Sequence, residues 1–248
     1  MSNMRLEDLA AQNPWWKFGK DFKEYDRDLS KIDFIEFKRK KLDLKAGIVY
    51  LIRGPRQTGK STYLKQTIID LLMEGVNKEV IVYISCDRLS SRNELSNILN
   101  NFVNENMGAA RLYAFIDEIT YLKEWDIFIK TLSDSNQMNR LVVVATGSSP
   151  LKLKEGLERW PGRIVKEFYF KPLTFREFIL GSLDRIWPGM DSRQFSESLR
   201  LLRDILAKTK ISKFDDLKNA VGKIKGFISE LDYLFKIYMH TGGVSKTY

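Results

Sequence analysis

Two glycines, a lysine and a serine at fixed spacing, Gly54-x-x-x-x-Gly59-Lys60-Ser61, carry the strongest chemical signal in this 248-residue sequence. The spacing is that of a loop for gripping phosphate. Adjacent phosphates crowd several negative charges into a small volume and need many donors there. Glycines at both ends let the backbone turn back on itself, so that successive N–H groups can form an anion nest. A helix beginning near Lys60 adds its dipole and its unpaired N–H groups. Lys60 offers a mobile positive charge to terminal phosphate oxygens, and the Ser61 hydroxyl is of the kind that ligates Mg²⁺. The whole stretch Gly54, Pro55, Arg56, Gln57, Thr58, Gly59, Lys60, Ser61 and Thr62 is therefore assigned to the phosphates of a nucleotide. The loop reads as solvent-facing, so loss of the Lys60 side chain is expected to cost binding and not folding.

A second group of side chains can work on the same phosphates. Asp117 and Glu118 end an apolar run, 57 residues after Lys60. An acid at the C-terminal edge of a strand beside such a loop can hold Mg²⁺ through water, together with Ser61. Glu118, one residue on, can orient or deprotonate a water attacking the terminal phosphate. A third apolar run turns polar at Thr146-Gly147-Ser148-Ser149. A hydroxyl there can sense the terminal phosphate, with Ser148 and Thr146 both candidates, or it can simply cap the next helix. Arg163, in Trp160-Pro161-Gly162-Arg163, could stabilise transition-state charge, and Arg159 is the weaker alternative. From the residues alone, an arginine in a surface loop is the simpler reading.

These groups need elements to position them. Residues 48–52 are apolar without alternation, as expected of a parallel strand buried on both faces. After the loop, Leu64, Ile68, Leu71 and Leu72 mark one face of a helix that Gly75 can stop. Further strands are expected at 80–85, 112–116, 141–145 and 164–170, with helical patterns between them. One such pattern is Trp125, Phe128, Ile129 and Leu132. This alternation implies an α/β fold, a parallel sheet with helices on both faces. Beyond Pro172 the pattern turns helical, broken at Trp187-Pro188-Gly189 and near 210–213. The chain divides into an arm (1–46), a core (47–172) and a helical region (173–248). Gly242-Gly243 so near the end reads as a linker with its continuation missing.

Composition sets outer limits. The formal charge is +9, from 41 basic and 32 acidic side chains. That permits a nucleic-acid partner, although the densest run, Lys38-Arg39-Lys40-Lys41, reads first as a solvated face. The single cysteine, Cys86, cannot form an internal disulfide and closes an apolar run, so it is expected in the core of a protein from a reducing compartment. No apolar run has the length of a membrane span, and the N-terminus is too polar for a signal peptide. A soluble, cytoplasmic protein is expected. The lone His240 cannot build a metal site.

The set GPRQTGKST, FIDEI, VVATGSS, WPGRI and PLTFREF, in that order, resembles the AAA-type ATPases of an archaeal and bacterial group related to STAND signalling ATPases. The resemblance covers roughly residues 13 to 180. It implies a P-loop AAA+ core with strand order 5-1-4-3-2 and a helical lid that is incomplete here. It further implies ATP or ADP with Mg²⁺ as ligands. Lys60 and Ser61 would serve as Walker A, Asp117 and Glu118 as Walker B, and Ser148 as sensor 1. Arg163 would be an arginine finger acting on a neighbouring subunit of a homo-oligomer. Asn13-Pro14-Trp15-Trp16 resembles the family's N-terminal lead-in near the nucleotide base, although aromatic packing of the arm is the simpler reading. Members commonly continue into a winged-helix or partner domain.

Two functions from different classes fit. One is Mg²⁺-dependent ATP hydrolysis driving a conformational switch on a protein or nucleic-acid partner, a DNA-remodelling initiator-like ATPase included. The other is a nucleotide-gated signalling module with little turnover. A small-molecule phosphoryl transferase shares the loop, but the acid pair suits water activation better and no acceptor pocket is legible.

Overall fold

A computed structural model describes residues 6–26, 29–30, 39, 41–148, 165–182, 200–202, 204–205, 208, 210 and 212–241. They fall into two compact units. The first holds residues up to Ser30 and from Lys40 to Lys171; the second holds Lys31–Arg39 and Pro172–Tyr248.

The first unit is a five-stranded parallel sheet. Its strands are β1 (Val49–Arg53), β2 (Ile81–Ser85), β3 (Leu112–Asp117), β4 (Leu141–Gly147) and β5 (Val165–Tyr169). They lie in the order β2-β3-β4-β1-β5, which is the expected 5-1-4-3-2 read from the other side. Every neighbouring pair is parallel. Each apolar run thus becomes a strand within a residue or two of its expected limits. The reason is visible in β1, β3 and β4, where the runs are buried on both faces. Only β5, at one margin, departs from that pattern: Lys166, Glu167 and Tyr169 are exposed.

Helices alternate with the strands. Two short ones lead in, α1 (Leu6–Gln12) and α2 (Trp15–Phe18). Then come α3 (Lys60–Met73), α4 (Arg92–Glu105) and α5 (Trp125–Ser133). Leu64, Ile68 and Leu71 of α3 are buried as its spacing requires, and the helix lies against β3 and β4. Gly75, with φ of +87°, ends it. Ser91 caps α4, its hydroxyl accepting from the N–H of Glu94. Leu95, Leu99 and Phe102 of α4 join Phe128 and Ile129 of α5 in a core with Val82, Leu112, Ala114 and Val143 of the sheet. Cys86 is buried in the same core, where desolvation pushes its thiol far above the ordinary range. It is inert packing, as expected.

The lead-in segment closes the outer side of β2. Asn13 grips Tyr83 by both backbone groups, donating from Nδ2 to its carbonyl at 2.9 Å and accepting its N–H at 2.6 Å. The indoles of Trp15 and Trp16 both donate to the Ile81 carbonyl, at 3.2 and 2.8 Å. Gln12 accepts the Ser85 N–H at 2.9 Å. Side chains here make the ladder bonds that another strand would make. Trp15 is wholly buried, edge-on to Phe22 at 5.1 Å. The arm also reaches α3 through a buried ion pair, Asp26 with Lys65 at 2.8 Å. Asn13→Ala is expected to lower the unfolding free energy by about 2 kcal/mol, because buried backbone groups lose their partner. An unchanged urea midpoint would show that these bonds contribute nothing.

The second unit contains α6 (Phe175–Ser182), α7 (Phe214–Ile224) and α8 (Ile228–Thr241). Phe178, Ile179, Leu202, Phe227 and Leu234 form its core. The Tyr238 hydroxyl of α8 donates to the Leu173 carbonyl at 2.7 Å, tying the last helix to the start of this unit. Among the described residues no helix is long and apolar enough to cross a membrane.

Candidate functional site

The glycine-framed loop leaves the C-terminal end of β1 and runs directly into α3. Gly54 is required by packing. A Cβ there would stand 2.2 Å from the backbone carbonyl oxygen of Phe170, where the chain leaves β5. Gln57 (φ +64°) and Gly59 (φ +84°) both take left-handed backbone, so the chain reverses twice within three residues before the helix begins. The Thr58 hydroxyl donates to the Pro55 carbonyl at 2.9 Å and ties the loop across its width. Ser61 and Thr62 sit half-buried on the first turn of α3, while Pro55, Arg56 and Gln57 are exposed.

Lys60 departs from expectation. It is 4% exposed, and its ammonium donates to the carbonyls of Gly54 at 3.0 Å and Pro55 at 2.7 Å. The loop is thus solvent-facing only at its tip, and its lysine is folded back into it. The physical reason is that carbonyls of the turn converge on one point, where a cation can donate to both; that of Pro55 also accepts from the Thr58 hydroxyl. Burial pushes the Lys60 ammonium below its ordinary pKa, and the negative charges of Glu118 and Asp117 oppose that shift.

Asp117 closes β3 and is 4% exposed. Both of its oxygens are held. The Tyr83 hydroxyl, from β2, donates to Oδ2 at 2.6 Å, and the Thr146 hydroxyl, from β4, donates to Oδ1. Thr146, wholly buried, also accepts the Glu118 N–H at 2.9 Å. Its single hydroxyl proton is therefore spent on Asp117. Of the two hydroxyls weighed for sensing a phosphate, this leaves Ser148, half-buried in the bend after β4, without that commitment. Glu118 itself is half-buried with φ of +51°, left-handed backbone that costs a non-glycine residue on the order of 1 kcal/mol.

Arg163 and Arg159 lie outside the described residues, as does Ser149. The tandem tryptophans, for which a place near a nucleotide base was one reading, bind the outer edge of β2, with β3 and β4 between it and β1. The aromatic-packing alternative describes them. Sequence reasoning missed Tyr83 altogether. A signal was there: a phenol inside a buried apolar strand must find a partner for its hydroxyl.

Among the described residues no three His, Cys, Asp or Glu side chains cluster as a metal cage. A single acid at the end of β3 and a hydroxyl, Ser61, on the helix that follows β1 suit Mg²⁺, which takes one or two protein oxygens and completes its shell with phosphates and water.

Residues 47–179 match the family described as AAA domain, and the chain belongs to that family. An uncharacterised protein of Methanocaldococcus jannaschii is 30% identical over 170 residues, covering 66% of this chain and 33% of that protein. Another, from Haemophilus influenzae, is 27% identical over 134 residues, covering 53% of this chain and 33% of its own length. The chain thus spans about a third of the length of the curated relatives it matches. Two solved structures are similar at 18% identity. One, from work on katanin self-assembly, has a TM-score of 0.38 and covers 90% of this chain and 72% of that chain. The other, the Thermotoga maritima RuvB Holliday junction branch migration motor, has a TM-score of 0.39 and covers 71% and 61%. The fold is that of a P-loop AAA+ ATPase, with the five-stranded order given above.

Proposed function

We propose that this member of the AAA domain family binds ATP or ADP with Mg²⁺ on the loop Gly54–Thr62 and hydrolyses ATP. The observation that carries the reading is the pairing of two features in one fold. A glycine-framed loop opens α3, and a buried Asp117 is followed by a left-handed Glu118 at the same end of the sheet. Ser61 and Asp117 would hold the ion, whose chemistry is to neutralise phosphate charge. Lys60 would exchange the Gly54 and Pro55 carbonyls for phosphate oxygens. Glu118 would take the proton of the attacking water as oxygen bonds to the terminal phosphorus. The bond from that phosphorus to the bridging oxygen then breaks, releasing ADP and phosphate. Ser148 would contact the terminal phosphate, and Arg163 would supply charge to a neighbouring copy in a homo-oligomer. The helices after Pro172 would act as a lid, and kinship with STAND-type ATPases is part of the same reading.

The work of the cycle would fall on a protein or nucleic-acid partner in the cytoplasm; the +9 charge leaves DNA open. A nucleotide-gated module with rare turnover is favoured by one observation, the commitment of the Lys60 ammonium to its own loop. Phosphate release by the purified chain separates the two. Turnover that requires Mg²⁺ and rises per subunit with protein concentration is expected of an ATPase completed by its neighbour. Tight Mg²⁺-nucleotide binding without release at any concentration would establish the gated module, and no binding at all would remove both.

A further inference from the structure

Asp117 is held from two sides, and the tyrosine on the β2 side is itself braced by Asn13 and Lys65. A carboxylate at a strand end ordinarily swings about its last torsion, which is broad. Here the strands flanking β3 each supply one hydroxyl, Tyr83 to Oδ2 at 2.6 Å and Thr146 to Oδ1, so the carboxylate plane is fixed. A carboxylate accepts about four hydrogen bonds, so each oxygen keeps a lone pair for another ligand. The Tyr83 side could hardly be better braced. Asn13 holds its backbone N–H and carbonyl. The Lys65 ammonium lies 5.8 Å from the centre of its ring, and Asp26 fixes that ammonium in turn at 2.8 and 2.9 Å. Tyr83 is 6% exposed and β2 forms one margin of the sheet, where the arm and α3 supply this bracing.

We propose that Tyr83 is a positioning residue for the divalent ion: its hydroxyl, set in place by the N-terminal arm and Lys65, orients the Asp117 carboxylate so that the ion binds at low concentration. This rests on the reading of Asp117 as the acid that holds the ion. Groups that hydrogen-bond a metal's ligand typically change metal affinity or activity by about 10–100-fold when removed. Tyr83 acts here only through Asp117.

The test uses the full chain and calorimetry of ADP binding across a range of Mg²⁺ concentrations, with an EDTA baseline. Tyr83→Phe removes one oxygen and keeps the ring between Asn13 and Lys65. It is expected to raise the Mg²⁺ concentration at half-effect about 10-fold, with metal-free ADP affinity within two-fold of wild type. A merely structural hydroxyl would move the melting temperature and leave the Mg²⁺ dependence alone; that result overturns the proposal. Should the phenylalanine chain melt early, Thr146→Val and Thr146→Ser read the same clamp from β4. Loss in the valine chain with recovery in the serine chain supports it, and equal behaviour of the two overturns it. Asp117→Asn separates the premise from the inference. If it weakens Mg²⁺ dependence while Tyr83→Phe does not, Tyr83 alone is misassigned. If Asp117→Asn changes nothing, the metal-holding role falls and the positioning role falls with it.

Discussion

Replacing Glu118 by glutamine is expected to lower phosphate release by about 10²–10⁴-fold and to leave ATP affinity nearly unchanged. The substitution is close to isosteric and keeps the backbone N–H that the Thr146 hydroxyl accepts. What changes is the capacity to take a proton. A loss confined to kcat, with KM steady, is the signature of a group acting on the transition state. A normal rate in steady-state assays would withdraw the general-base role. A rise in KM with kcat intact would assign Glu118 to binding instead.

Lys60→Ala should weaken ATP binding by on the order of 100-fold, since hydrogen bonds to a charged group contribute about 1.5–3 kcal/mol each. A second effect accompanies it. Lys60 is buried and bonds the carbonyls of Gly54 and Pro55, so its removal takes a donor from each, and Pro55 keeps only the Thr58 hydroxyl. The loop itself should loosen, and the stability of the chain should fall by about 1–2 kcal/mol. Calorimetry with ATP checks the first effect and a urea titration the second. Unaltered ATP affinity would remove the loop from the site. Unaltered stability would mean that water replaces the ammonium at no cost.

Much of this was legible because it is local. Runs such as residues 48–52 and 141–145 could only be buried strands, and the spacing of Leu64, Ile68 and Leu71 could only face a core. Gly54, Gly59, Lys60 and Ser61 are recognisable because loop, charge and helix start are contiguous. Contacts between distant segments left no such trace. Nothing in the spacing of Gln12, Asn13, Trp15 and Trp16 announces that amides and indoles will substitute for a strand, because that needs the margin of a sheet seventy residues away. Thr146 has the place of a phosphate-sensing hydroxyl at a strand end, yet its proton goes to Asp117. The folding back of Lys60 was hidden for a related reason: carbonyl partners are the same in every sequence and carry no residue code.

The substitution of side chains for a ladder on β2 has a consequence for how the molecule behaves in company. With Gln12, Asn13 and the two indoles in place, the Ile81 carbonyl, both backbone groups of Tyr83 and the Ser85 amide are spoken for, which obstructs pairing with a strand from another copy. Were the arm trimmed or drawn away, that row would become a template for intermolecular pairing along the apolar run from Ile81 to Ser85. Gln12, Asn13, Trp15 and Trp16 thus cover a sheet margin that would otherwise be open to pairing.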